Sequence, residues 1–157
     1  MAAVTPAIIA LDAAGIEYGV HPYDHGGSDL GYGLEAAAAL GVDPDEVFKT
    51  LLVDGGRELA VAIVPVTCRL SLKAVALALG SKRVEMCDPE RAEHSTGYVV
   101  GGISPIGQRR RLPTVIDESA ELYDRIYVSG GRRGLDLSLA PADLVALLDA
   151  TVAPITA

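Results

Sequence analysis

Tryptophan is absent from this chain of 157 residues and phenylalanine occurs once, as Phe48, so large rings cannot build its core. Half of the residues are hydrophobic while aromatics make up only 4%, which leaves Ala, Val, Leu and Ile to do the packing. The two cysteines, Cys68 and Cys87, lie far apart with no CxxC spacing and no run of histidines nearby. Neither a zinc site nor a redox pair is signalled, and both read as reduced, small core residues. No apolar run approaches the ~18 to 20 residues that would span a bilayer, and the start lacks the basic region, apolar run and small-residue cleavage site of an export signal. The expectation is a soluble, cytoplasmic protein with no membrane partner. Familiar catalytic signatures are missing too. There is no Gly-x-Ser-x-Gly elbow, no Walker-type loop and no His-Glu-x-x-His, and His21, His25 and His94 are not grouped as metal ligands. A conventional triad is disfavoured, and no metal or cofactor is expected. Positive charge is also scarce: the formal net charge is −8, which argues against general nucleic-acid binding.

What basic residues there are cluster in Lys73, Lys82 and Arg83, in Arg109-Arg110-Arg111 and in Arg132-Arg133. They form either a local face able to touch a few phosphates or a set of solvated loop charges. The length suits one ordinary domain burying roughly two thirds of its unfolded surface. With no repeat, low-complexity tract or linker, residues 1–157 read as a single domain.

Local patterns outline the elements. Thr5-Pro6 followed by Ile8, Ile9 and Leu11 predicts a capped helix to about Ala14, and the alternation from Ile16 to His21 predicts a half-buried strand. Residues 22–33 read as a long loop of the kind that usually serves function. A short helix from Glu35 to Leu40 and a capped restart at Asp43-Pro44 lead into an extended run at 48–53. Leu59 to Val66 is so uniformly apolar that it must be a strand buried on both faces. Ser71 caps a helix to Leu79. A short strand over 83–86, a short helix over 89–94, a Gly-punctuated strand and loop over 97–107, strands at 114–117, 126–129 and 135–139, a helical turn at 119–123, a turn at Gly130-Gly131 and a last helix over 141–148 complete the chain. Such a mixture in no strict βαβ order predicts an α+β fold around a mixed, barrel-like β-sheet flanked by helices.

Three segments have the residues to meet a ligand. Lys49 stands in a stretch otherwise committed to burial, so its ammonium either snorkels to water or enters a polar cleft. Gly101-Gly102, before Ser104-Pro105, can bring backbone amides close to a carbonyl oxygen, or can simply make a tight turn. Ser129-Gly130-Gly131-Arg132-Arg133-Gly134-Leu135-Asp136 is either a plain hairpin turn or a loop offering a hydroxyl, two guanidiniums and a carboxylate. Residues alone lead to a small α+β domain with a cleft for an anionic or carbonyl-bearing ligand.

Four runs in this order, Val47-Phe48-Lys49-Thr50-Leu51-Leu52, then Thr96-Gly97-Tyr98-Val99-Val100-Gly101-Gly102-Ile103-Ser104-Pro105-Ile106-Gly107, Leu112-Pro113-Thr114 and the 128–136 segment, resemble the signatures of the YbaK/EbsC family across essentially the whole chain. The resemblance implies a relative of the editing domain of bacterial prolyl-tRNA synthetases, one that hydrolyses mischarged Cys-tRNA(Pro) in trans. Such second sieves are needed because a synthetic pocket separates similar side chains by only a few kcal/mol. Carried onto matching positions, Lys49 would hold the acceptor-end phosphate or the ester carbonyl, and Gly101 and Gly102 would present amides to the carbonyl oxygen. Asp136 would receive the substrate amino group, with Ser129, Thr50, Tyr23 and Tyr32 lining the pocket. Tyr32 stands where relatives often have Phe, and Cys87 where alanine is usual. No nucleophile is supplied by the protein because the substrate's own thiol is expected to attack its ester. The implied partners are the aminoacyl-tRNA acceptor end and prolyl-tRNA synthetase, from which an acidic protein would borrow tRNA specificity. A deacylase for another group such as alanine, and a non-catalytic module binding tRNA or synthetase, stay open at this point.

Overall fold

A computed structural model describes residues 4–26 and 30–157; of the expected 22–33 loop, residues 27–29 lie outside the described residues. Helix α1 (Pro6–Ala14) begins where the sequence places it: the Thr5 side chain accepts from the Ile8 N–H at 3.3 Å and Pro6 occupies the first turn. The same Thr5 hydroxyl donates to the Gly130 carbonyl at 2.6 Å, so the cap also moors the helix to a distant strand. Strand β1 (Gly19–Pro22) starts three residues later than expected, and α2 (Tyr32–Leu40) starts three residues earlier. A 3-10 turn (Pro44–Glu46) capped by Asp43 precedes β2 (Phe48–Asp54).

Strand β3 (Leu59–Pro65) is buried at every position. It runs antiparallel to β2 and parallel to β5 (Thr114–Asp117). Its side chains alternate between two cores: Val61 and Ile63 join the larger cluster with Leu11, Phe48, Ile116 and Leu144, while Ala60, Ala62 and Val64 join a second with Val75 and Ala76 of α3 (Leu72–Leu79). Apolar material on both faces removes the polar half of the usual strand alternation, which is why that run is uninterrupted.

The remaining elements are β4 (Glu85–Met86), α4 (Pro89–Thr96), β6 (Ile126–Arg132), β7 (Leu135–Leu139), α5 (Pro141–Leu148) and β8 (Thr151–Ala153), with a second 3-10 turn at Glu118–Leu122. The strands form a three-stranded antiparallel sheet, β1-β7-β6, and a five-stranded mixed sheet, β4-β2-β3-β5-β8. A parallel bridge between Val47 and Tyr127 joins them at one corner. The α+β expectation is met, but the sheets do not close into a barrel.

Several local expectations need correction. Residues 97–107 contain no strand: the Val100 N–H goes to Glu93 Oε2 at 2.7 Å and the Tyr98 hydroxyl to the Ile106 carbonyl at 2.7 Å, so hydrogen bonds that a ladder would use are taken by side chains. Gly130-Gly131 is not the hairpin turn. Strand β6 runs through both as a bulge between Ser129 and Arg132, and residues 133–134 turn the chain. Strand β8, only three residues long, has no counterpart in the sequence pattern. Both cysteines are free and only half-buried rather than interior.

Candidate active site

Strand β7, Leu135-Asp136-Leu137-Ser138-Leu139, alternates apolar and polar residues. Leu135, Leu137 and Leu139 enter the larger core, and the register puts Asp136 and Ser138 on the opposite face. Directly paired residues of antiparallel strands share a face, so Ser129 of β6 and His21 of β1 flank Asp136. This polar face is covered rather than solvated: Asp136 is only 4% exposed.

Against it lies a cavity of about 320 Å³, within the range of small-molecule sites. Lys49 and Thr50 from β2, Tyr23 from the loop after β1, Tyr32 from the first turn of α2, Gly101 from the α4–β5 loop, and Ser129 and Asp136 from the β6–β7 pair all line it. Seven of the eight residues singled out in the sequence thus meet in one place. The eighth, Gly102, does not line the cavity, and its N–H donates to the Val99 carbonyl at 2.8 Å. None of the three histidines lines it either. His21 instead shares a 2.8 Å hydrogen bond with Ser138 Oγ and rests 5.0 Å from the Tyr127 ring, and burial, then the Arg125 charge, hold its pKa below the usual imidazole value.

The wall includes residues with no legible signal. Met86 and Cys87 reach it from the end of β4, and Pro89 and Ala92 from α4. Burial raises the Cys87 thiol above the ordinary range. Glu35, buried in α2, accepts from the Gly26 N–H at 2.6 Å and tethers the loop that carries Tyr23.

The cavity brings one ammonium together with neutral donors and a buried carboxyl. Lys49 is half-buried and takes part in no ion pair among the described residues. Thr50 Oγ1 is buried without a hydrogen-bond partner among them, a cost normally avoided. Burial pushes the Tyr23 phenol up to about 12, with the nearby Asp136 charge adding to the effect, so it is a neutral donor at physiological pH. Asp136 itself is pushed up to about 7 by burial.

The Asp136 shift has a definite sign in the stability curve. A carboxyl whose folded pKa is about 7 against 3.8 unfolded binds its proton more tightly in the native state. Its contribution is fully present below 3.8 and is lost as pH rises to about 7. Asp136→Asn should therefore flatten the wild-type decline between those limits and be more stable than wild type at pH 8, by an amount on the order of a few kcal/mol. Thermal denaturation across pH 4 to 8, at roughly unit steps, measures it; parallel curves for the two proteins would refute the assignment.

Comparison with known proteins adds a second line. A family model described as aminoacyl-tRNA editing domain matches residues 33–147. EbsC of Enterococcus faecalis, named as a Cys-tRNA(Pro)/Cys-tRNA(Cys) deacylase, is 40% identical over 121 residues, covering 76% of this chain and 74% of that protein. A proline–tRNA ligase of Moorella thermoacetica is 33% identical over 73 residues, 46% of this chain and 13% of the ligase. Among solved structures, one described as a trans-editing enzyme for prolyl-tRNA synthetase superposes with a TM-score of 0.83 at 25% identity, covering 99% of both chains. Another, hypothetical protein APE2540, gives 0.87 at 26% identity, covering 98% of this chain and all of the other.

Proposed function

The chain belongs to the aminoacyl-tRNA editing domain family, and from that premise we propose that it is a deacylase acting in trans on Cys-tRNA(Pro), in the cytoplasm and beside prolyl-tRNA synthetase. The observation that carries the reading is the meeting of an unpaired lysine, a glycine amide and a buried carboxyl on one cavity.

Asp136 would hold the substrate's α-ammonium, whose arrival favours the ionised carboxylate. Lys49 would stand at the ester carbonyl or the adjoining phosphate, and the Gly101 N–H would meet the carbonyl oxygen as negative charge grows on it. Tyr23, Thr50, Ser129 and Tyr32 would frame the acyl group. Because the Gly102 N–H is engaged by Val99, Gly102 closes the turn rather than donating to substrate.

Among the described residues no hydroxyl or thiol of the cavity wall is hydrogen-bonded to a basic side chain, so bond cleavage is assigned to the guest. A cysteinyl thiol ordinarily ionises near about 8.5, so a few per cent is already thiolate at neutral pH. Its sulfur adds to its own ester carbonyl, forming a C–S bond and placing an electron pair on oxygen. Collapse then breaks the bond to the ribose oxygen, which takes up the proton the thiol gave, and water opens the thiolactone to free cysteine. Serine on the same tRNA is close to cysteine in shape but carries a far less acidic nucleophile. Cysteinyl-tRNA(Pro) should be cleaved at least about tenfold faster than the seryl ester in single-turnover assays. Equal rates would remove the thiol from the mechanism. Running alanyl-tRNA(Pro) alongside tests the aminoacyl preference.

A further inference from the structure

Residues 99–102 form a turn closed by the Gly102 N–H donating to the Val99 carbonyl at 2.8 Å. Gly101 has φ 90, while Val100 is not among the residues with positive φ. A positive φ at the third residue alone marks a type II turn. Type I and type II turns differ by a half rotation of their central peptide, here the Val100 carbonyl and the Gly101 N–H. In a planar trans peptide those two bonds point in opposite directions. Whatever holds the oxygen on one side therefore holds the hydrogen on the other.

Two side chains from elsewhere grip this peptide unit and its neighbour. Arg133, in the β6–β7 turn, donates from Nε to the Val100 carbonyl at 2.9 Å, and its guanidinium lies 4.9 Å from the centre of the Tyr32 ring. Glu93 of α4 accepts the Val100 N–H at 2.7 Å. Gly101 lines the cavity and Arg133 does not. The Gly101 N–H has no partner among the described residues. A side chain at 101 would be strained by the positive φ and would displace this pair, because a Cβ there would sit 2.8 Å from both Arg133 Nε and Tyr32 Cε1.

We propose that Arg133 is a positioning residue: its bond to the Val100 carbonyl locks the 100–101 peptide in the setting that directs the Gly101 N–H into the cavity. The inference rests on the reading of Gly101 as the donor to the acyl oxygen. A charged donor on the carbonyl also polarises the peptide and strengthens the N–H on its far side. Lysine cannot replace it, since only a guanidinium offers an in-plane Nε donor while its flat face covers a ring.

The test compares wild type with Arg133→Ala and Arg133→Lys on Cys-tRNA(Pro). It reads kcat and KM at two salt concentrations, the melting temperature, and the amide resonance of Gly101 in the free protein. Both variants should lose about 10- to 100-fold in kcat, keep KM within about twofold, melt near wild type because Arg133 is exposed, and show a displaced Gly101 resonance. Unchanged kcat overturns the proposal. So does a loss confined to KM that disappears at low salt, the behaviour of a phosphate contact, and so does a kcat loss with the Gly101 resonance unmoved. A wild-type protein that cleaves no aminoacyl ester would instead sink the deacylase reading; the resonance then decides the positioning of the peptide by itself, a shift supporting it and no shift refuting it.

Discussion

Replacing Lys49 by alanine should lower the single-turnover deacylation rate about 100- to 1,000-fold, the usual consequence of removing one preorganised charge or donor at a developing oxyanion. The fold should survive. Strand β2 pairs with β3 without interruption from Phe48 opposite Pro65 to Asp54 opposite Leu59, and these bonds belong to the backbone. Lys49 contributes no ion pair among the described residues, so alanine forfeits little beyond the packing of the half-buried stem, about 1 kcal/mol or less. Lys49→Arg should recover only part of the rate, because a planar fork does not put its charge where an ammonium does. A stably folded alanine variant with full activity would reject the site.

A clear loss of stability should come from Gly102→Ala. A Cβ at this position would lie 2.7 Å from Arg132 Cα and 2.8 Å from Arg132 C and Arg133 N. These are backbone atoms of the β6–β7 hairpin and cannot rotate away as a side chain would. Overpacking of this kind costs about 1 to 3 kcal/mol, so the melting temperature should fall by about 2 to 12 °C for a chain of this size. The same displacement would lift the 99–102 turn from the hairpin and loosen the Arg133 contact with Val100, so activity should drop even at temperatures where the variant stays folded. An unchanged melting temperature together with unchanged kcat would show that the loop yields freely, and the close approach would then have no functional meaning.

The elements readable in advance are those whose signals are local. Ser71 caps α3 by accepting from the Ala74 N–H, Pro141 opens α5, and the alternation of 135–139 gives β7 with its bounds intact. Strand β8 is illegible because three residues are too few for a period, and it exists only by pairing with β5. The 97–107 segment misleads because its Val and Tyr residues favour a strand, yet Glu93 and Arg133 take the backbone groups that a strand would have paired. In the cavity, Lys49 and Asp136 are recognisable by charge amid apolar neighbours. Met86 and Cys87 are not, because nothing in their own neighbourhood distinguishes a two-residue edge strand from a loop.

By itself the sequence determined the capped starts of α1 and α3, the strands with one or two apolar faces, the ordered runs that resemble an editing family and the want of any familiar catalytic signature, since each of these is written in residue types at short spacing. Only the tertiary structure decided which of two adjacent glycines keeps an open N–H, and that the sheets stay unclosed. The allocation of a backbone donor depends on partners such as Arg133 and Val100, 33 residues apart along the chain, and no local pattern carries that distance.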